Sequence, residues 1–303
     1  MKFGSVQNIE AIDFTLPPDH PDTAIILGGK AEKKLTAFVG CAKWNKQDLK
    51  NFYPKGIKDE LEYYASQFNS IELNATFYQA LGNAQFKNWR AKTPKDFKFS
   101  PKIPQVISHL KRLNNVKTLT DEFCNSLAEF EEKLGMVFLQ MHDNFKPKEF
   151  ELLEKFIIEF PKGISLAIEL RNTEWFNTKA EADRVCKLFK KHKVTNIIVD
   201  TAGRRDLLHM RLTTPIAFIR YVGANHESDY TRLDPWIKRI AKWKKEGLKE
   251  LYFFVHQNVE VESPALSAYF IDGINKKLEL KLHVPVKPVI TKTKTIKGQK
   301  SLF

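Results

Sequence analysis

The chain has 303 residues, 43% of them hydrophobic and 12% aromatic, with a formal charge of +13. Its three cysteines, Cys41, Cys124 and Cys186, are too few and too scattered for a disulfide framework or a zinc ribbon, and no apolar stretch approaches the ~20 residues that span a membrane. The basic excess attracts polyanions as readily as it confers solubility.

Residues 1–37 read as an irregular extension. Pro17, Pro18 and Pro21 discourage a helix, and Gly28-Gly29 marks a turn. No basic segment followed by an apolar run opens the chain, so a signal peptide is not expected. The few, widely spaced cysteines point to a reducing, cytoplasmic setting.

From residue 38 to residue 283, β-branched and aromatic runs alternate with amphipathic stretches. The expected strands are 38–42, 70–75, 97–102, 135–141, 165–170, 196–200, 216–222 and 251–256. The expected helices are 59–68, 83–91, 120–134, 147–160, 178–192, 233–245 and 264–278. Thr178 with Glu181 forms a capping box, and Ser263 before Pro264 caps the last helix. Between the sixth and seventh strands, 203–214 is polar enough for only a short helix. Such alternation implies parallel pairing with right-handed crossovers. The strand count favours an α/β fold of the (β/α)8 TIM-barrel type as a single domain, for which ~250 residues is typical. No Gly-x-Gly-x-x-Gly follows the first strand and no P-loop occurs, which argues against a dinucleotide or nucleotide fold. Residues 284–303 form a basic tail. Lys238, Arg239, Lys242, Lys244 and Lys245 form a second basic block, of the kind that serves as a contact surface.

Side chains alternate across a strand. Sorted by parity, the polar residues gather near the C-terminal strand ends: Glu72 and Asn74, Ser100 and Lys102, Gln140 and His142, Glu169 and Arg171, then Asp200, Arg220, His256 and Asn258. Barrel enzymes build their sites there from several strands. Isolated buried charges are costly, so these must pair, hydrate or serve a ligand. A self-neutralising network of Glu72, Glu169 and Asp200 with Lys102, Arg171 and Arg220 is the plainest outcome for any one residue. For ligand work, Arg171 and Arg220 suit a phosphate or carboxylate clamp, with Lys102 adding a point charge. Glu72, Glu169, Asp200, Lys102 or His109 would move protons, and Trp44 and Tyr78 would stack on a sugar or base. A divalent metal held by His109, His142 and His256 is not favoured, because no compact ligand motif is present, and the cofactor stays open.

The strand-end residues also carry a resemblance. Tyr53-Pro54, 61–65, Phe68 and Ile71-Glu72-Leu73-Asn74-Ala75-Thr76-Phe77-Tyr78 resemble the YecE-like family, domain of unknown function 72. The block 97–102 with Pro104, Ile107 and His109, then Gly135, Gln140, 168–171, Trp175-Phe176 and 220–223 continue it. The resemblance implies a TIM barrel with a pocket at its C-terminal face and no assigned reaction. The sequence departs from the family pattern at Met141-His142-Asp143, at Asn172, at His256-Gln257-Asn258 and around 40–44.

The last five residues, Gln299-Lys300-Ser301-Leu302-Phe303, resemble peptides that bind the bacterial sliding clamp. In that reading Gln299 sets register by hydrogen bonds while Leu302 and Phe303 enter an apolar pocket, and the basic linker before them meets DNA. Three functions follow as expectations. The first is a DNA-associated hydrolase or phosphodiesterase recruited to the clamp. The second is an enzyme on a small sugar or sugar phosphate. The third is a non-catalytic clamp or nucleic-acid adaptor.

Overall fold

A computed structural model describes residues 4–31 and 34–286. Parallel strands β1 (Thr36–Cys41), β2 (Ser70–Leu73), β3 (Lys98–Pro101), β4 (Val137–Gln140), β5 (Leu166–Glu169), β6 (Thr195–Thr201), β7 (Ile216–Val222) and β8 (Glu250–His256) alternate with helices. The α/β fold is built on a six-stranded parallel half-barrel in the order β1-β8-β7-β6-β5-β4, and β2 pairs with β3 separately.

Side chains and single bridges join the two sheets. β3 meets β4 through isolated parallel bridges, Phe99 to Leu134 and Lys102 to Phe138. Gly135 makes the approach possible: its N–H donates to Phe99 O at 2.7 Å, and a Cβ there would sit 2.8 Å from that oxygen. Between β1 and β2 the link is made by side chains. Asn69 accepts from Val39 N at 2.9 Å and donates to Ala37 O at 2.8 Å. The Tyr64 hydroxyl accepts from Cys41 N at 2.7 Å and donates to Ser70 O at 3.0 Å. Gly40 lets the strands come this near, since a Cβ would fall 2.0 Å from Ser70 O.

The strands are near-continuous hydrophobic runs because both faces are covered, as parallel sheets require. Their outer faces pack on helices. Their inner faces form a second core with Phe38, Phe138, Phe218, Tyr252 and Phe254 at its centre. Two residues further along β4, β5, β7 and β8, the inward positions turn polar. Phe138 gives way to Gln140, Ala167 to Glu169, Phe218 to Arg220 and Phe254 to His256. An aromatic plug thus floors a polar mouth at the C-terminal strand ends.

The last helix starts at Ser263 itself, with Glu262 in the cap position and no side-chain cap bond, so Ser263 is not its cap. Other helices are capped by side chains. Asp59 accepts from Glu62 N at 3.0 Å at the start of Glu60–Gln67, and Thr178 accepts from Glu181 N at 3.3 Å at the start of Lys179–His192. The extension departs from expectation. It contains a helix, Pro21–Leu27, because Pro21 falls at the first helical position, where its fixed φ helps and its missing N–H costs nothing. Part of the basic block is engaged within the fold, while Lys238, Lys242 and Lys245 remain exposed. Arg239 donates to Asp19 at 2.5 Å and to Pro17 O at 2.9 Å, Lys242 pairs with Asp19 at 2.6 Å, and Lys244 reaches Leu278 O at 2.7 Å. These residues pin the extension and the end of the last helix. No helix among the described residues is long and apolar enough to cross a membrane. The clamp-like peptide Gln299, Leu302 and Phe303 lies outside the described residues.

Candidate functional site

Glu72, Lys102, Gln140, Glu169, Arg171, Arg220 and His256 meet above the aromatic plug. Arg220 is the hub. Its Nε and Nη2 donate to the two oxygens of Glu72 at 2.9 and 3.0 Å, and its Nη1 donates to Glu169 Oε2 at 2.6 Å. Arg171 Nε donates to Glu169 Oε1 at 2.5 Å, and Gln140 Nε2 adds a bond to the same oxygen at 3.0 Å. Lys102 Nζ donates to Gln140 Oε1 at 2.8 Å and stands 4.0 Å over the Phe77 ring. Asn74 Nδ2 donates to Glu72 Oε1 at 2.9 Å, and His256 Nε2 lies 2.8 Å from Glu72 Oε2. An ionised carboxylate only accepts, so the proton on that imidazole belongs on Nε2.

The charges follow from this geometry. Burial alone would raise the Glu169 carboxyl, but Arg171 and Arg220 outweigh it and hold it at about 2. Burial opposes ionisation of Glu72 too, and Arg220 and His256 overcome it, keeping the group well below the usual carboxylate range. Neither acid is a proton donor near neutrality. Lys102 goes the other way: burial, reinforced by Arg220, pulls its ammonium from 10.5 down to about 7. That value suits a group that must both take and give a proton. His109 is lowered to about 4 by burial and then by Lys102, so it is neutral. Its Nδ1 lies 2.9 Å from Ser108 Oγ, and its ring packs edge-on against Phe77 and His142.

The site is layered. Glu72 is fully buried and the Glu169 side chain 2% exposed, whereas Arg171 keeps 15% and His256 12% of their side-chain surface. Acids lie underneath, and the groups at the opening are basic or neutral.

The remaining expected residues lie elsewhere. Asp200 is the main correction. It occupies the outward parity of β6 and is fixed by Trp236 Nε1 at 2.7 Å, Arg232 Nη2 at 3.2 Å and Arg205. Every residue of β6 is buried, so polarity could not show which face Asp200 took. The residue anchors helix Leu233–Glu246 instead of moving protons. Asp200→Asn is expected to destabilise the protein by about 2–4 kcal/mol, because the guanidinium groups of Arg232 and Arg205 lose a counter-charge. Urea unfolding would measure it, and anion binding at the mouth should be unchanged. Trp44 is half-buried and packs edge-on against Trp89 at 5.2 Å beside the outer core. Tyr78 is exposed beside the mouth, and Asn258 is half-buried in the turn after β8. Phe77 joins the site without being marked by strand parity. The Asn74-Ala75-Thr76-Phe77 run immediately after β2 is the available signal. Among the described residues, no three His, Cys, Asp or Glu side chains form a metal-ligand set.

A family model described as a protein of unknown function, DUF72, matches residues 38–289. The UPF0759 protein YecE of Escherichia coli K12 is 25% identical over 288 residues, covering 88% of this chain and 99% of that protein. YunF of Bacillus subtilis is 28% identical over 149 residues, 46% of this chain and 52% of that protein. Among solved structures, a DUF72 protein of Thermotoga maritima superposes with a TM-score of 0.62 at 26% identity, covering 81% of this chain and all of that one. An Enterococcus faecalis DUF72 protein superposes at 0.61 with 19% identity over 81% of this chain and 96% of its own, a likeness of fold alone.

Proposed function

The chain belongs to the DUF72 family of proteins of unknown function, and from that premise we propose an enzyme that binds a small organic anion at the C-terminal mouth of a (β/α)8-type barrel and transfers a proton on it. The observation that carries this reading is the layering of charge. The carboxylates are sealed and matched by Arg220; Arg171 and His256 keep some exposure, and Lys102, only 6% exposed, is held by Gln140 within the same cluster. With Lys102 protonated, the cluster of two carboxylates, two guanidinium groups and one ammonium has a positive excess that an anion would neutralise. Lys102 is the proton-transfer group. Arg171 and His256 orient the anion. Arg220 positions the two glutamates and does not clamp ligand, since Nε, Nη1 and Nη2 already donate to carboxylates.

The reading as a DNA-associated phosphodiesterase recruited to a sliding clamp retains the net charge of +13 and the terminal peptide as its support. It gains little from the site, where Arg220 is committed to carboxylates.

Sulfate is a suitable probe because its charge does not change near neutrality. Calorimetric affinity for sulfate at constant ionic strength should fall about tenfold or more between about pH 6 and about pH 9, as Lys102 loses its charge. An affinity flat across that window would rule out Lys102 as the anion-facing cation.

A further inference from the structure

Asp200 faces outward, so β6 adds nothing to the network around Arg220 through that residue. The next residue, Thr201, has the opposite parity. It stands two positions beyond Val199, which belongs to the inner core and pairs with Arg220. Thr201 pairs in turn with Val222, and Val222 with His256. Threonine and imidazole therefore share one row across three strands, roughly 10 Å apart at the usual strand spacing.

That inward hydroxyl is sealed and unused. Thr201 is fully buried, and among the described residues its Oγ1 has no hydrogen-bond partner. It occupies the cap position of the short helix Ala202–Leu207, yet makes no capping bond. A buried hydroxyl without a partner is costly to keep. Gly4 lies directly over it in left-handed backbone, with φ of 76°, and a Cβ there would collide with Oγ1. Gly4 O accepts from Gly203 N at 3.0 Å, and a Cβ on Gly203 would come within 2.9 Å of the Gly4 carbonyl carbon. Two glycines thus let a single length of backbone lie flat across the end of β6. The loop beneath it also reaches the anion side of the mouth, since Arg204 Nη2 donates to Arg171 O at 2.6 Å.

This cover is weakly held. No residue from Gly4 to His20 is buried. Firm attachment begins at Phe14, whose ring lies 3.9 Å from the Arg232 guanidinium. Arg205 Nη2 then donates to Thr15 O at 3.2 Å, and Arg239 holds Asp19. A segment with so little buried surface opens at small cost. We propose that residues 4–13 are a removable strap over the mouth, and that its release uncovers Thr201 as a hydroxyl donor to the bound anion. The proposal rests on the mouth being an anion site. It adds to that site one neutral contact and the segment that controls access to it.

Gly4→Ala meets both the collision and the left-handed backbone, so it pushes the strap away and leaves every side chain of the mouth intact. Sulfate would be titrated into the full chain at constant ionic strength and about pH 6, where Lys102 is charged. Gly4→Ala should raise the affinity about twofold to tenfold, because the open state is then reached without breaking the glycine contact. Thr201→Val keeps the branched shape and removes the hydroxyl. Added to Gly4→Ala, it should lower the affinity about threefold to tenfold, whereas Thr201→Ser should keep it. No gain from Gly4→Ala, or a gain that survives Thr201→Val, would overturn the proposal and leave the anion site standing. If sulfate binds to none of these proteins, the anion reading itself fails and the strap's role falls with it.

Discussion

Lys102→Met is expected to make the protein more stable and to weaken anion binding about tenfold or more. In the fold the ammonium titrates at about 7 instead of 10.5, because burial and Arg220 disfavour its charge. Below pH 7 the group is protonated in both states, and the folded chain bears the whole cost. From 7 to 10.5 the folded chain gives up the proton while the unfolded chain keeps it, so the cost fades and stability rises with pH. Above both values the cost is gone. A tenfold change in proton affinity on folding corresponds to ~1.4 kcal/mol. Removing the amine should therefore stabilise the protein at neutral pH by about 2–4 kcal/mol, after allowing for the donor that Gln140 Oε1 loses. In a thermal melt that is a rise of about 3–8 °C, shrinking as the pH is raised toward the ordinary lysine value. A structural lysine would behave oppositely, and a lower melting temperature in the variant would place Lys102 among the supports of the fold.

Arg220→Met carries the largest expected loss. It leaves Glu72 and Glu169 buried, with Arg171 and His256 unable to replace three guanidinium bonds. Removing one partner of a buried ion pair costs about 3–5 kcal/mol, and here two carboxylates are stranded at once. The variant is expected at or beyond that upper value by denaturant unfolding. Adding Glu72→Gln and Glu169→Gln should recover most of the loss, because neutral amides need no counter-charge. Strongly non-additive energies across this set are the expected signature of one connected network. Simple additivity would mean the three side chains act independently. The native pair also has an acid limit. Glu169 titrates at about 2 rather than 4.5, so its contribution is complete above 4.5 and disappears as the pH falls toward 2.

The strands and the site are legible in the sequence for the same reason. A strand covered on both sides has to be apolar along its length, so an inward polar residue stands out: Glu72, Lys102, Gln140, Glu169, Arg220 and His256 are each visible by parity and converge at the mouth. For β7 the apolar run gives the observed bounds, 216–222. The same logic misplaces Asp200, because β6 is buried on both faces and its polar residue serves the outer one. The position of Trp44 after β1 suggests a ligand platform and gives no sign of its edge-on contact with Trp89. The π-helix at Val106–Leu110 and the left-handed residues behind it leave no trace in composition, since non-glycine residues adopt such angles only when tertiary packing imposes them. The pairing of Arg239 and Lys242 leaves no trace in the basic stretch itself, because their acidic partner, Asp19, lies far away along the chain.

The junction of β1 and β2 bears on how the pocket can diversify. Two side chains, Asn69 and Tyr64, do there what a run of main-chain pairs does between most neighbouring strands of the half-barrel. Ser70, which Tyr64 holds, lies two residues before Glu72. Losing either side chain would loosen the hold on the segment that leads into Glu72 while leaving Lys102, Glu169 and Arg220 themselves unaltered, so this seam is the hinge on which the aim of one carboxylate hangs.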